Sequence, residues 1–407
     1  MNPGWLWFFL VLLGWMRPAV AGSLIESIST EALWRNREGG GTTWFHPRPC
    51  LMPGEQGQPA VLMTMQDIGG SDYFGPVHWT LSKDLGKTWS EPELIPAFDR
   101  HPTPGRDDGL SAGVCDVVPQ FHPQTGTVLA LGHVVFYKGD YFARSEQLPR
   151  YPVYSIRAAD GRWSERKILE WDDPRIDTIY SNNCGQRVVL PNGDIQMAFT
   201  FGAEVNNRMV CGVRSRFDGA VLEVSEHGPE LIHNVGRGLL EPSVTAYGGR
   251  FWMTLRAEDG RGYVTTSEDG LHWEEKSAWS WEDGTPLTMS TTQQHWIAHS
   301  DGLFLVYTRK DASNEKVMRW RAPLWIAEVE TESRRLIRST ERIVLPLVGD
   351  AEKAPEMVAR MGNFHTINVS PEESWVTVGE TIAANGFRGD VLLARIRWSQ
   401  PNQLPLW

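Results

Sequence analysis

Short runs of alternating apolar and polar residues, each closed by turn chemistry, recur along this chain from residue 47 onward. The pattern is clearest between residues 240 and 275. Residues 242–247 read as a strand, Gly248-Gly249 as a tight hairpin turn, and Arg250 to Arg256 as a second strand rich in aromatic and β-capable residues. Asp259-Gly260 turns the chain again, and residues 262–266 form a third run. The unit ends in Ser267-Glu268-Asp269-Gly270-Leu271-His272-Trp273. There Asp and Gly accept a positive-φ turn, the serine caps it and the tryptophan packs beneath. A meander of this kind cannot bury its face alone, so it predicts one blade of a radial array.

Five further units follow the same plan. The first uses residues 49–52, 60–65 and 77–81 and ends in Ser82-Lys83-Asp84-Leu85-Gly86-Lys87-Thr88-Trp89. The second uses 116–121, 127–136 and 153–157, and the third 186–190, 195–201 and 209–214. With 240–275 as the fourth, the fifth uses 295–298, 303–308 and 324–329, and the sixth 365–369, 375–378 and 391–398. No run keeps helical periodicity over several turns. The expected fold is an all-β, six-bladed β-propeller with four-stranded antiparallel blades, one domain over residues 22–407. Residues 23–35 alternate weakly and are expected to close the ring as the outer strand of blade six.

Composition narrows the setting. A net charge of -11 argues against nucleic acid as a partner, because phosphate binding needs a basic surface. It leaves room for a local basic pocket. An apolar run from Trp5 to Trp15 followed by Ala19-Val20-Ala21 reads as a secretory signal over residues 1–21. It is short for a membrane span of about 20 residues. The expectation is therefore an exported protein, secreted or periplasmic, with no membrane segment in its mature form. Export permits disulfides among Cys50, Cys115, Cys184 and Cys211, and buried free thiols are the equal alternative. No cysteine pair has zinc-site spacing. There is no Walker-type phosphate loop, serine elbow or His-rich metal motif, so the sequence implies no cofactor.

The Ser-x-Asp-x-Gly-x-x-Trp ending at residues 82–89 and its shorter variant at 267–273 resemble the Asp-boxes of the sialidase (neuraminidase) superfamily. That resemblance implies catalytic groups where innermost strands enter a central funnel. Glu241 is similar to the family's glutamate that polarises the nucleophile. Arg256 and Arg321 resemble arginines of the triad that clamps the substrate carboxylate, a role suited to a bidentate guanidinium fork. The acid/base aspartate corresponds to Asp72 or Asp67. Two departures stand out. In place of an Arg-Ile-Pro motif the chain reads His46-Pro47-Arg48-Pro49, which leaves Arg48 as the candidate for the remaining substrate-clamping arginine but puts it one residue out of register. In place of the nucleophilic tyrosine stands His365.

Taken from the residues alone, Glu241 and His365 facing one another across a funnel would make a carboxylate–imidazole dyad. It would activate water for single-displacement hydrolysis with Asp72 as acid, or abstract a proton α to a carboxylate held by Arg256 and Arg321. Asp116, Asn183, Gln186, Gln294 and His295 are further funnel-entry candidates for reading sugar hydroxyls, with His78 and His133 near the same mouth. Tyr180 is a loop-packing residue or a replacement for the missing phenol, and Arg187 reads as structural. The expected function is a sialidase-like hydrolase removing a terminal acidic sugar from glycans. A uronate-directed polysaccharide lyase and a non-catalytic glycan-binding propeller are the alternatives.

Overall fold

The computed structural model describes residues 23–176, 178–202 and 207–407; the signal segment expected at 1–21 lies outside them. Six antiparallel sheets are arranged as the blades of a propeller, and the described residues contain short 3-10 turns but no α-helix. Blade four is representative. Leu240–Tyr247, Arg250–Arg256, Gly262–Ser267 and Ser277–Ala278 pair in chain order from the axis outward. Blade six is closed by the N-terminal strand Ile25–Trp34, which pairs antiparallel with Val391–Trp398, Ile28 opposite Ile396. The expected closure is therefore present.

One strand differs from expectation. Blade three was read with a continuous inner strand at 186–190, but its inner edge is broken into Ile179–Ser181 and Val188–Val189, both paired to Ile195–Gly202. Between them Asn182 caps the opening by donating to Ala198 O, and Gly185 lies so near Pro242 O that a Cβ would collide.

The core lies between blades rather than within one. Leu129, Leu131 and Tyr154 of blade two pack on Met197, Phe199 and Phe201 of blade three. Trp252 and Trp279 of blade four pack on Trp296, Leu305 and Tyr307 of blade five. Ile297, Phe304 and Ile326 of blade five meet Phe364, Val376 and Ile396 of blade six. Trp279, Trp296 and Trp375 are fully buried, and each removes enough apolar surface from water to stabilise the ring by about 3 kcal/mol. The four cysteines are buried free thiols.

The two turns that carry the Ser/Asp/Gly/Trp order are locally self-sufficient. Asp84 accepts from the Thr88 amide and hydroxyl at 2.9 and 2.6 Å, and these bonds pull its pKa down to about 2. Ser82 Oγ accepts from the Gly86 amide at 2.7 Å. Trp89 packs, tilted, between Trp34 of the closing strand and Trp375 of blade six.

Candidate functional site

Four inner segments, one from each of blades one to four, bend in the same unusual way. His46, Asp116, Asn183 and Glu241 have φ of 52°, 55°, 52° and 46°, in the left-handed region that side-chain-bearing residues avoid. The strand register slips at three of them, between Phe45 and Arg48, Cys115 and Val118, and Leu240 and Ser243. A regular strand sends neighbouring side chains to opposite faces, whereas the extra residue of a bulge is released from the ladder and re-aimed. Inner strands of a propeller run down the axis from one end, so these four side chains collect at one mouth. Local strain of roughly 1–3 kcal/mol per residue is thus gathered at that mouth.

Arginines dominate it. Arg256, opposite Leu240 on the next strand, donates from Nη1 to Glu241 Oε1 at 2.5 Å and from Nε to Thr291 Oγ1 at 3.0 Å. Glu241 Oε2 is buried and unpartnered. Arg321 gives one hydrogen bond, Nη2 to Thr291 O at 3.2 Å, while its Nε is buried without a partner. Burial, then the Arg256 and Arg319 guanidinia, push the Arg321 pKa down to about 9. Arg237 donates from Nε and Nη2 to the one oxygen Glu258 Oε1, while its backbone amide donates to Oε2. Arg150, Arg319 and Arg321 form no ion pair with any described carboxylate, although Asp72 acts on all three at longer range.

Beneath the mouth a buried polar layer crosses the axis. Arg48 is wholly buried; it donates to Gln293 Oε1 at 3.1 Å, Phe364 O at 3.3 Å and Asp116 Oδ1 at 3.0 Å. Gln293 Oε1 also accepts from His295 Nε2 at 2.7 Å, and its amide donates to Asn363 Oδ1 at 2.6 Å. Burial by itself would raise the Asp116 pKa, but His46, Arg48 and His133 together hold it below the usual value. His46 and His133 are pushed down to about 4, chiefly by burial.

These positions correct several expectations. Arg48 was read as a substrate clamp, but it is spent bracing Asp116 under the floor. His295 sits in the same layer, between Gln293 and Ser243. Gln294 is inside the interface of blades four and five, bonded to Thr254 and Trp279 and packed on Gly262, rather than in the funnel. His365 is not in contact with Glu241. Its ring packs on His295 at 4.9 Å below the Arg48 layer, and it lines a separate cavity of about 600 Å³ at the other end of the channel with Gln186 and Arg187. The expected Glu241–His365 dyad is therefore not assembled, because His365 lies farther down its strand, past that floor. Tyr180 donates to Leu169 O at 2.9 Å, a packing role as expected.

Asp72 stands on an exposed hairpin tip, paired with Arg144 at 3.1 Å. Asp67 is half-buried in the strand behind it, opposite Trp44 in the ladder; its carboxylate has no hydrogen-bond partner among the described residues and packs against Gly75. His46, whose Nε2 lies 3.7 Å from Asp116 Oδ1, is a mouth residue that the motif comparison passed over. So are Arg150, Arg237, Glu258 and Arg319, which come from loops and strand ends with no motif. The one available signal for His46 was its place in the Phe45-His46-Pro47 run where the resemblance expects arginine.

No family model matches the sequence, and no curated protein matches it either. Solved structures do match in fold. The Hadza microbial sialidase Hz136 superposes with a TM-score of 0.64 at 14% identity, over 90% of this chain and 68% of that one. The Trypanosoma rangeli sialidase in complex with sialic acid gives 0.61 at 14% identity over 92% of this chain, which spans only 60% of the trypanosomal protein. A Dyadobacter fermentans protein of unknown function gives 0.61 at 15% identity, over 92% of this chain and all of the other. At these identities the likeness is one of architecture, and the chain is a sialidase-like six-bladed propeller.

Proposed function

We propose that this chain is an exported glycoside hydrolase that removes a terminal acidic sugar from glycans, with the sugar carboxylate seated between Arg321 and Arg256. The observation that carries the reading is Arg321, a half-buried guanidinium with an unpartnered Nε and no carboxylate in contact. A carboxylate arriving there would gain charge-assisted hydrogen bonds in a site that already holds excess positive charge. The trypanosomal sialidase of the same fold has been solved in complex with sialic acid, which supports the choice of sugar class.

Glu241 is the proposed base. Arg256 fixes one carboxylate oxygen, and the free Oε2 is available to take a proton from water. No tyrosine hydroxyl bonds Glu241 among the described residues, so a direct water attack replaces the covalent route through a phenol. Asp72 or Asp67, above the mouth, protonates the leaving oxygen. A uronate lyase is the second reading, favoured by the His46–Asp116 pair, which puts an imidazole in the mouth where His365 is not.

Turnover of a fluorogenic sialoside by the mature protein, with calorimetric binding of free sialic acid alongside, tests this. Glu241→Gln should keep binding and lose more than a hundredfold in rate, and Arg321→Ala should lose binding. Binding without turnover in the wild type would make this a glycan-binding propeller. A rise in unsaturated-uronate absorbance on acidic polysaccharide would favour the lyase, and silence in every assay would refute an acidic-sugar site.

A further inference from the structure

The wall of the funnel at blade two gathers a second set of donors. Cys115 and Asp116 are consecutive, and in a regular strand their side chains would point apart. The bulge at Asp116 removes that alternation, so both turn to the same side. His133 lies directly opposite Cys115 on the next strand of the blade. As a result Cys115 Sγ is 3.4 Å from His133 Nε2 and 4.0 Å from Asp116 Oδ2, and one ligand atom from each of the three lies within 4.8 Å of the others.

These groups are poorly satisfied by the protein. His133 is 5% exposed, yet its Nδ1 has no partner and its Nε2 faces only a thiol. Arg48 takes Asp116 Oδ1 and leaves Oδ2 toward the sulfur. The donor set of one thiolate, one imidazole and one carboxylate suits a borderline-soft divalent ion. Tetrahedral zinc with a sulfur and a nitrogen ligand sets them about 3.5 Å apart, close to the spacing present. The carboxylate needs only a small rotation to close the third edge. Three protein ligands leave a fourth position, and Asp116, 18% exposed, opens that side to the funnel. His46 Nε2, 3.7 Å from Asp116 Oδ1, is the nearest additional nitrogen, and Arg48 and Arg150 are the nearby cations that the ion must tolerate.

We propose that Cys115, Asp116 and His133 bind one zinc-class divalent cation on the funnel wall. On binding, the Cys115 thiol gives its proton to water and becomes the thiolate ligand. Ligands eighteen residues apart across a hairpin escape a search for paired cysteines near in sequence.

The test is a cobalt titration of chelator-stripped full-length protein, followed by zinc. The expected result is one equivalent of Co²⁺, with a near-ultraviolet thiolate-to-cobalt band that zinc abolishes. Cys115→Ser and His133→Gln should remove the band, Asp116→Asn should weaken binding at least tenfold, and Cys50→Ser should change nothing. No saturable band in the wild type, or a band that survives in Cys115→Ser, would overturn the site. The wild-type titration needs no variant to fold, and its outcome does not depend on whether the protein hydrolyses any sugar.

Discussion

At the scale of single residues the mouth is a set of side chains held by very small neighbours. Arg321 lies across Gly362, where a Cβ would come 2.6 Å from its Cδ and 2.8 Å from its Nε. Gly362→Ala must therefore move the guanidinium without touching its charge. We expect it to weaken binding of an acidic sugar at least tenfold, with far-ultraviolet dichroism unchanged and Asp269-centred turn chemistry unaffected. Calorimetry with sialic acid beside a thermal melt checks this, since a general loss of folding would also lower the melting midpoint. Arg321→Ala removes the charge itself and should cost about 2–3 kcal/mol of acidic-ligand affinity, the worth of a hydrogen bond to a charged group. Arg321→Lys should recover only part of it, because a point charge replaces a fork. If Arg321→Ala binds as tightly as the wild type, the carboxylate is held elsewhere.

At the scale of elements, legibility divides sharply. Blade order, hairpin turns and the closing strand could be read in the sequence because they rest on local chemistry: two-residue periodicity and Gly/Asp turns. The mouth could not be read so well, since its aim depends on backbone angles at His46, Asp116, Asn183 and Glu241 that no residue type announces. Glu241 and Arg256, brought forward by the family resemblance, do stand side by side at strand ends, because Leu240 pairs with Arg256 across the hairpin. His365 was misplaced because a motif comparison gives the strand but not the depth along it. Gln294 was misplaced because its neighbour Gln293 takes the axial position. The closing strand gives the test at this scale. Ile25 is buried, and Ile28 and Leu33 are packed against neighbouring blades. Removing residues 23–35 forfeits about 5 kcal/mol of apolar burial and bares an edge of blade six. A chain of this size should then melt about 6 °C lower. An unchanged midpoint would mean that the ring is closed by other contacts.

At the scale of the whole molecule, an acidic protein has concentrated cations at one end of a channel and neutral imidazoles along it. The net charge of -11 repels anions in general, so acidic ligands are drawn only where arginines outnumber carboxylates. The imidazoles set the response to acid. His46 and His133 are pushed down to about 4, and His295 and His365 well below the ordinary histidine value, all chiefly by burial. The unfolded chain therefore takes up protons at these positions before the folded one does. The sign follows: stability is full above about pH 6.5 and declines as pH falls toward 4. By pH 5 His46 and His133 each withdraw up to about 2 kcal/mol, and His295 and His365 act in the same direction. Melting midpoints should fall steeply between pH 6.5 and 5, in a range where most carboxylates are still ionised. His365→Gln should flatten that slope by one proton's share, because its ring makes no hydrogen bond that a neutral amide would have to replace. A midpoint that stays level from pH 7 to 5 would show that the channel admits water to these rings, and with it that the Arg48 layer does not seal the funnel from the cavity below.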